Sequence, residues 1–309
     1  MRFAYLGPSG TFTESAVLQV ASPDDELSPM ASVDAALEAV RDGSADRAVV
    51  PIENSVEGGV PQTLDSLGSG SALMVVREML VPITFVLAAR AGTGLDDVRR
   101  VSSHPHGWAQ CRGWVGAQLP GATYVPALST AASAQGLASD DEVPYEAALC
   151  SALAAERFGL TVLAEGVGDN ASAVTRFVLV SRPGPLGPPS GADKTSVVVF
   201  QNDDHPGGLL ELLEQFATRG INLTRIESRP TGDALGRYCF SIDCEGHLSQ
   251  ARVAEALMGL HRTCSQVRFL GSYPRADGVQ GTVTASTSEP AFERARVWVE
   301  ALREGRPTP

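Results

Sequence analysis

Hydrophobic positions along the first 180 or so residues alternate between two textures. Short β-branched and aromatic runs at Phe3–Leu6, Arg47–Ile52, Ile83–Ala88 and Phe177–Val180 predict strands. Between them, alanine-rich stretches predict helices over Thr13–Val20, Val33–Arg41, Ala131–Ala138 and Glu146–Phe158. Strands alternating with helices imply an α/β architecture with largely parallel sheets, here spanning residues 1–182. From Arg182 to Ala192 the chain packs four prolines and three glycines into eleven residues, so 183–193 is a linker.

A second pattern follows over 194–273. Thr195–Gln201 predicts a strand, and Gly207–Thr218 a helix opened by Pro206 and closed by Gly220. Ile221–Ser228 and Arg237–Cys244 predict strands around a Thr-Gly-Asp turn, Ser249–His261 an amphipathic helix, and Gln266–Ser272 a last strand. The order β-α-β-β-α-β is that of a ferredoxin-like split βαβ unit, one sheet under two helices. Residues 274–309 are a tail. Its Gly/Thr/Ser-rich first half is expected to be mobile; Ser288 is placed to cap a short helix with Phe292, Ala295, Val299 and Leu302 on one face.

Charge narrows the possible chemistry. With 36 acidic and 24 basic residues the chain carries a net charge of −12, which opposes binding to nucleic acid or anionic lipid. No apolar run reaches the roughly 18–20 residues of a membrane helix, and none near Met1 resembles a signal peptide, so a cytoplasmic protein is expected. Lys194 is the only lysine, which excludes Schiff-base, pyridoxal and P-loop chemistry. An anionic substrate must therefore be met by arginine and backbone N–H groups. The five scattered cysteines read as reduced thiols, and His104-Pro-His106 with Cys111 is an incomplete ligand set, so no metal or other cofactor is expected.

Several strand-to-helix turns could build an anion-binding crevice. Leu6-Gly-Pro-Ser-Gly-Thr11-Phe-Thr-Glu14 has capping-box spacing, and helix N-termini attract carboxylates. Ser103, before His104-Pro105, and Ser129, before an alanine-rich helix, are further N-cap candidates. Pro51-Ile-Glu53-Asn54-Ser55 clusters three polar side chains after a buried strand. Asp169-x5-Thr175-Arg176-Phe177 supplies a hydroxyl, a guanidinium fork and an apolar wall.

These motifs, in this order, resemble prephenate dehydratases, and Ile221-Asn-Leu-Thr-Arg-Ile-Glu-Ser-Arg-Pro230 resembles the signature of the ACT regulatory domain. The resemblance covers about residues 1–273. It implies a catalytic domain of two lobes similar to a periplasmic-binding-protein fold, with prephenate in the cleft, and a monofunctional enzyme, since no chorismate mutase segment precedes Met1. The product would be phenylpyruvate, on the route to phenylalanine. The resemblance carries Thr175 over as the catalytic hydroxyl, with Glu53 or His104 to replenish its proton. Thr11, Asn54, Ser55, Ser103, Ser129, Arg176 and Phe177 are substrate-binding candidates, with Arg176 expected on the pyruvyl carboxylate. It further implies that L-phenylalanine binds and inhibits at a dimer interface of ACT domains, within a homodimer or homotetramer. Gly207, Gly208, Leu209, Asn222, Leu223, Glu227 and Ser228 are the candidates for that site. Two positions depart from the family pattern: His106 stands where Gln is usual, and Gly208 where Ala is usual. Arogenate dehydratase and a non-catalytic amino-acid sensor are the competing readings.

Overall fold

Runs of small and β-branched residues that can be buried on both faces form the central strands of the fold. The computed structural model describes residues 1–139, 142–232 and 237–306. In chain order, β1 (Arg2–Leu6), α1 (Phe12–Leu18), β2 (Glu26–Met30), α2 (Val33–Arg41), β3 (Arg47–Asn54), β4 (Gly58–Gly59), α3 (Pro61–Gly68) and β5 (Met74–Pro82) come first. Then follow β6 (Val86–Ala89), β7 (Arg100–Ser103), α4 (Pro105–Gln118), β8 (Thr123–Pro126), α5 (Thr130–Ala138), β9 (Ala147–Cys150), α6 (Ala152–Arg157), β10 (Thr161–Glu165) and β11 (Val174–Ser181).

These strands form two sheets, one per lobe. The first has the order β2-β1-β3-β11-β5, with β4 added to β3; the second has the order β10-β6-β9-β7-β8. The chain passes from the first lobe to the second between β5 and β6 and returns between β10 and β11. That double passage is the two-lobed α/β arrangement expected from the sequence. The sheets are mixed rather than largely parallel: β1 pairs β2 and β3 in parallel, and β7 pairs β8 and β9 in parallel, but β6 runs antiparallel to both β9 and β10.

Two further expectations are corrected. The helix expected over Glu146–Phe158 is a strand, β9, followed by the short α6. Ala147–Cys150 is wholly buried between β6 and β7, where ladder hydrogen bonds and packing override the helical preference of alanine. Ser151 then starts α6 by accepting from Ala154 N at 3.0 Å. The strand expected over Ile83–Ala88 is confined to Val86–Ala89, because Ile83 lies in the first crossing segment, its N–H donating to Ala173 O of the second at 2.8 Å.

The remaining chain builds β12 (Asp193–Phe200), α7 (Gly208–Ala217), β13 (Leu223–Pro230), β14 (Tyr238–Glu245), α8 (Ala251–Thr263), β15 (Gln266–Pro274) and α9 (Glu289–Arg303). The sheet order β13-β14-β12-β15 is antiparallel throughout, the expected βαββαβ unit. Alternate residues Val197 and Val199 of β12 and Ile242 of β14 pack under Leu212 and Phe216 of α7 and Val253, Ala256 and Leu260 of α8. The turn expected at Thr-Gly-Asp lies in part outside the described residues. The tail helix has 15 residues, more than the short helix expected. Its first residue, Glu289, accepts from Ala251 N at 2.9 Å and so satisfies the start of α8.

Contacts divide the chain into two bodies, Met1–Thr63 with Met79–Leu179, and Leu64–Glu78 with Val180–Pro309. The segment Leu64–Glu78 therefore groups with the C-terminal body. Arg229 forks onto Asp65 at 2.8 and 2.9 Å, and Arg268 reaches Ser69 O and Gly70 O. The lone Lys194 holds both carboxylate oxygens of Glu78 at 3.1 Å, and Glu78 also accepts from Ala276 N. Both partners of the Lys194–Glu78 pair are buried. Removing one partner of such a pair strands the other charge. Lys194→Met is expected to lower unfolding stability by about 3–5 kcal/mol, read from urea denaturation, whereas the double variant Lys194→Met/Glu78→Leu recovers most of the loss.

Candidate functional site

Three helices begin at one cavity in the first body, and the residue that caps each of them lines it: Thr11 for α1, His104 for α4 and Ser129 for α5. The cavity measures about 780 Å³, in the range of small-molecule sites. Its apolar wall includes Phe12, Ile83, Phe85 and Phe177, with Phe12 and Phe85 edge to face at 5.5 Å. The capping pattern at α1 differs from the expected box. Thr11 Oγ1 accepts from Glu14 N at 3.4 Å, but the Glu14 carboxylate accepts from Gly10 N and pairs with Arg157 at 2.6 Å. Gly10 has a positive φ, and a Cβ there would lie 3.0 Å from Ala154 Cα, so only glycine lets the two backbones approach.

A polar stretch of the cavity wall comes from β3 and its sheet neighbour β11. Asn54 Oδ1 accepts from Val56 N at 2.8 Å, which orients the amide, and Asn54 Nδ2 then donates to Thr175 Oγ1 at 3.1 Å. The hydroxyl is thereby an acceptor toward Asn54, and its own proton is directed elsewhere. Thr175 and Phe177 line the cavity because side chains alternate along a strand. Arg176, between them, does not. It is buried and pairs with Glu53 at 3.3 Å, and Glu53 does not line the cavity either. Strand parity thus turns both residues, expected on the substrate and as a proton source, away from the cavity wall that Asn54 and Thr175 form.

Other candidates divide similarly. Thr11, Asn54, His104, Ser129, Thr175 and Phe177 are brought together. Ser55 is spent on the backbone: its N–H donates to Val174 O and its hydroxyl accepts from Val174 N, stapling β11 beside the β3–β4 turn. Ser103 is not the cap of α4; it sits buried in β7 and donates to Leu149 O at 3.0 Å. The cap is His104, whose Nδ1 accepts from His106 N at 3.2 Å. That bond leaves the ring proton on Nε2. Burial, with His106 nearby and against the pull of Glu57, holds the His104 pKa below 6.5, so it is a neutral imidazole at pH 7.

Three residues of α4 that were not among the candidate site residues also line the cavity: His106, noted in the sequence only as a departure from the family pattern and in an incomplete ligand set, and Gly107 and Gln110. Gln110 lies three residues after Gly107 and four after His106, which puts the three on one face, and that spacing was the available signal. A Cβ on Gly107 would come within 2.7 Å of Ser103 Oγ and 2.9 Å of Thr130 Cγ2. Asp169 has a structural part: its carboxylate accepts from Gly113 N and Trp114 N at 2.8 Å, and its own N–H donates to Gln110 O. Burial pushes the Cys111 thiol up to about 12, which removes it as a nucleophile. Among the described residues, no group of three His, Cys, Asp or Glu is placed to hold a metal ion.

In the second body a separate cavity of about 590 Å³ is lined by Gly207, Gly208 and Leu209 with His205, Arg237 and Tyr238. Gly207 opens α7 at a φ of 93°, which glycine adopts without strain. Asn222, Leu223, Glu227 and Ser228 do not line this cavity, so within one chain the two halves of the expected effector site stay apart.

A two-lobed α/β cleft rimmed by helix N-termini, in a chain that also carries a βαββαβ domain, defines a small-anion enzyme or sensor. The comparisons resolve which. The prephenate dehydratase family pattern matches residues 3–185 and the ACT domain pattern residues 196–262. The chain belongs to the prephenate dehydratase family. A prephenate dehydratase from Mycolicibacterium vanbaalenii is 48% identical over 318 residues, covering 98% of this chain and 99% of that one. The crystal structure of a prephenate dehydratase from Arthrobacter aurescens in complex with L-Phe is 57% identical with a TM-score of 0.94, covering 98% of this chain and 100% of the other. GqqA, described as a novel type of quorum-quenching acylase, is 33% identical with a TM-score of 0.79, over 89% of this chain and 98% of that one. No helix among the described residues is long and apolar enough to cross a membrane.

The electrostatics of His104 carry a pH signature. Its folded pKa lies below that of the unfolded chain, so the unfolded state binds more protons in the window just below pH 6.5. Stability therefore falls as pH drops through that window. His104→Asn keeps a capping oxygen but does not titrate, and is expected to reduce the loss in urea midpoint between about pH 8 and pH 5.

Proposed function

We propose that this chain is a carbon–oxygen lyase that converts prephenate to phenylpyruvate, carbon dioxide and water, and that L-phenylalanine inhibits it through the ACT domain. The observation that carries the reading is the Asn54–Thr175 pair at the wall of the cleft in a chain matched end to end by prephenate dehydratases. Breaking the bond to the ring carboxylate leaves its electron pair in the ring as carbon dioxide departs. The C4–oxygen bond breaks in the same sense, and the leaving hydroxide takes up a proton to become water. Aromatisation supplies the driving force, so the protein has to orient a dianion and ease the departure of oxygen.

Thr175 is the hydrogen-bond donor to the departing oxygen. An alcohol is too weak an acid to surrender its proton outright, but with Asn54 Nδ2 pointed at Oγ1 the hydroxyl proton is free to point at the leaving group. The Nε2–H of neutral His104 is a second hydrogen-bond donor toward the departing oxygen, and the proton that leaves with water comes from solvent, because a neutral imidazole is as reluctant an acid as the alcohol. Thr11 and Ser129 sit at helix starts where a carboxylate is favoured, and Phe12, Phe85 and Phe177 supply the apolar side on which the ring carboxylate sheds its charge. Holding that carboxylate tightly would stabilise the ground state and oppose its loss. The Arg176–Glu53 pair acts behind the strand, fixing β3 against β11.

Effector binding needs the Gly207–Leu209 turn of one copy and the Asn222–Ser228 strand of another, since one chain does not join them. A homo-oligomer is the arrangement this supports, and the L-Phe complex of the Arthrobacter aurescens relative supports the effector.

Thr175→Ala is expected to lower kcat by roughly 100- to 1000-fold in a prephenate assay read by phenylpyruvate absorbance. Unchanged kcat would remove Thr175 from the chemistry. Asn54→Asp turns the donor facing Oγ1 into an acceptor that captures the threonine proton. It should lose kcat on the same scale, more than Asn54→Ala, which leaves the hydroxyl free.

A further inference from the structure

The cleft poses an electrostatic problem that the strand parity of Arg176 creates. Among the described residues, no arginine or lysine lines the cavity. His104 and His106 are the ionisable side chains that do, and His104 is committed as a neutral cap. His106 differs. Its Nδ1 lies 3.0 Å from Glu57 Oε2, on the turn between β3 and β4, and its ring meets the His104 ring edge to face at 4.8 Å. These two, the Glu57 carboxylate and the His104 imidazole, are the titratable groups that face it. The carboxylate at Nδ1 fixes the ring at the cavity wall and leaves Nε2 as its remaining polar atom. His106 belongs to the second lobe and Glu57 to the first, so the pair also spans the cleft.

We propose that His106 is the cationic side chain that positions the substrate in this cleft, holding through Nε2–H the carboxylate that survives the reaction, while Glu57 orients the ring from behind. The proposal rests on the reading that the substrate is a dianion. The partner is the pyruvyl carboxylate rather than the ring carboxylate, because a cation on the departing group would oppose its loss. A contact equal in the ground and transition states moves KM and leaves kcat alone.

The test uses the full-length protein. His106→Gln keeps a donor but no charge and is expected to raise the KM for prephenate by roughly tenfold with kcat nearly unchanged. His106→Arg restores a low KM, and Glu57→Gln raises KM by only about threefold. A KM unmoved in His106→Gln, or an arginine that rescues no better than glutamine, overturns the assignment. So does a kcat that rises in His106→Gln, since that places His106 on the ring carboxylate. A second measurement does not depend on turnover: with ring-labelled histidine in the Thr175→Ala protein, adding prephenate should shift the His106 resonances. Movement of His104 alone, with wild-type turnover intact, counts against His106 and leaves the enzymatic reading standing. Wild type without turnover, and no histidine moved, removes the dianion reading and this proposal with it.

Discussion

One hydrogen bond orders the polar wall of the cleft: the amide of Asn54 donating to the hydroxyl of Thr175 at 3.1 Å. It joins the last residue of β3 to the second of β11, strands far apart in sequence and adjacent in the sheet. Its direction is set by a further bond, from Val56 N–H to the same amide, so the hydroxyl is left with a proton to give. Ser55 closes the arrangement from the other side by pairing both its N–H and its hydroxyl with Val174. The Glu-Asn-Ser triplet thus acts as a unit in which one residue touches the cavity and its two neighbours hold the frame.

The same division of labour recurs at the helix starts. Thr11, His104 and Ser129 satisfy local amides and face the cavity together, so the element that ends a loop also builds the site. Close packing behind them depends on absent side chains, at Gly10 against Ala154 and at Gly107 against Ser103. Charge is sparing inside a chain of net −12: the guanidinium of Arg176, next to Thr175 along β11, is buried and paired with Glu53. Facing the cavity instead are the starts of three helices and two imidazoles, that of His106 lying 3.0 Å from the Glu57 carboxylate.

The C-terminal body carries a comparable economy. Its sheet packs one apolar face under α7 and α8, while the opposite face of β14 presents Ser241 and Asp243 to Arg225, with Ser196 completing the bonds to Asp243. Leu64–Glu78 joins this body through Asp65, the carbonyls of Ser69 and Gly70, and Glu78, so the only lysine of the chain has a structural partner. β5 begins there and ends in the sheet of the first lobe, one continuous strand with two affiliations.

Local pattern alone determined much of this protein. The βαββαβ order, the helix at Val33–Arg41 and the caps at Thr11 and Ser129 followed from spacing, since hydrophobic period and capping chemistry act within a few residues. Motif order pointed to the family and to Thr175. Tertiary structure decided the rest. Alanine at 147 and 148 became strand because neighbouring strands supplied ladders that propensity does not see. Ser103 yielded its cap to His104 because β7 buried it. Arg176 left the cleft because adjacent side chains on a strand face opposite ways, and which face meets the cavity depends on the sheet neighbours that the fold assembles.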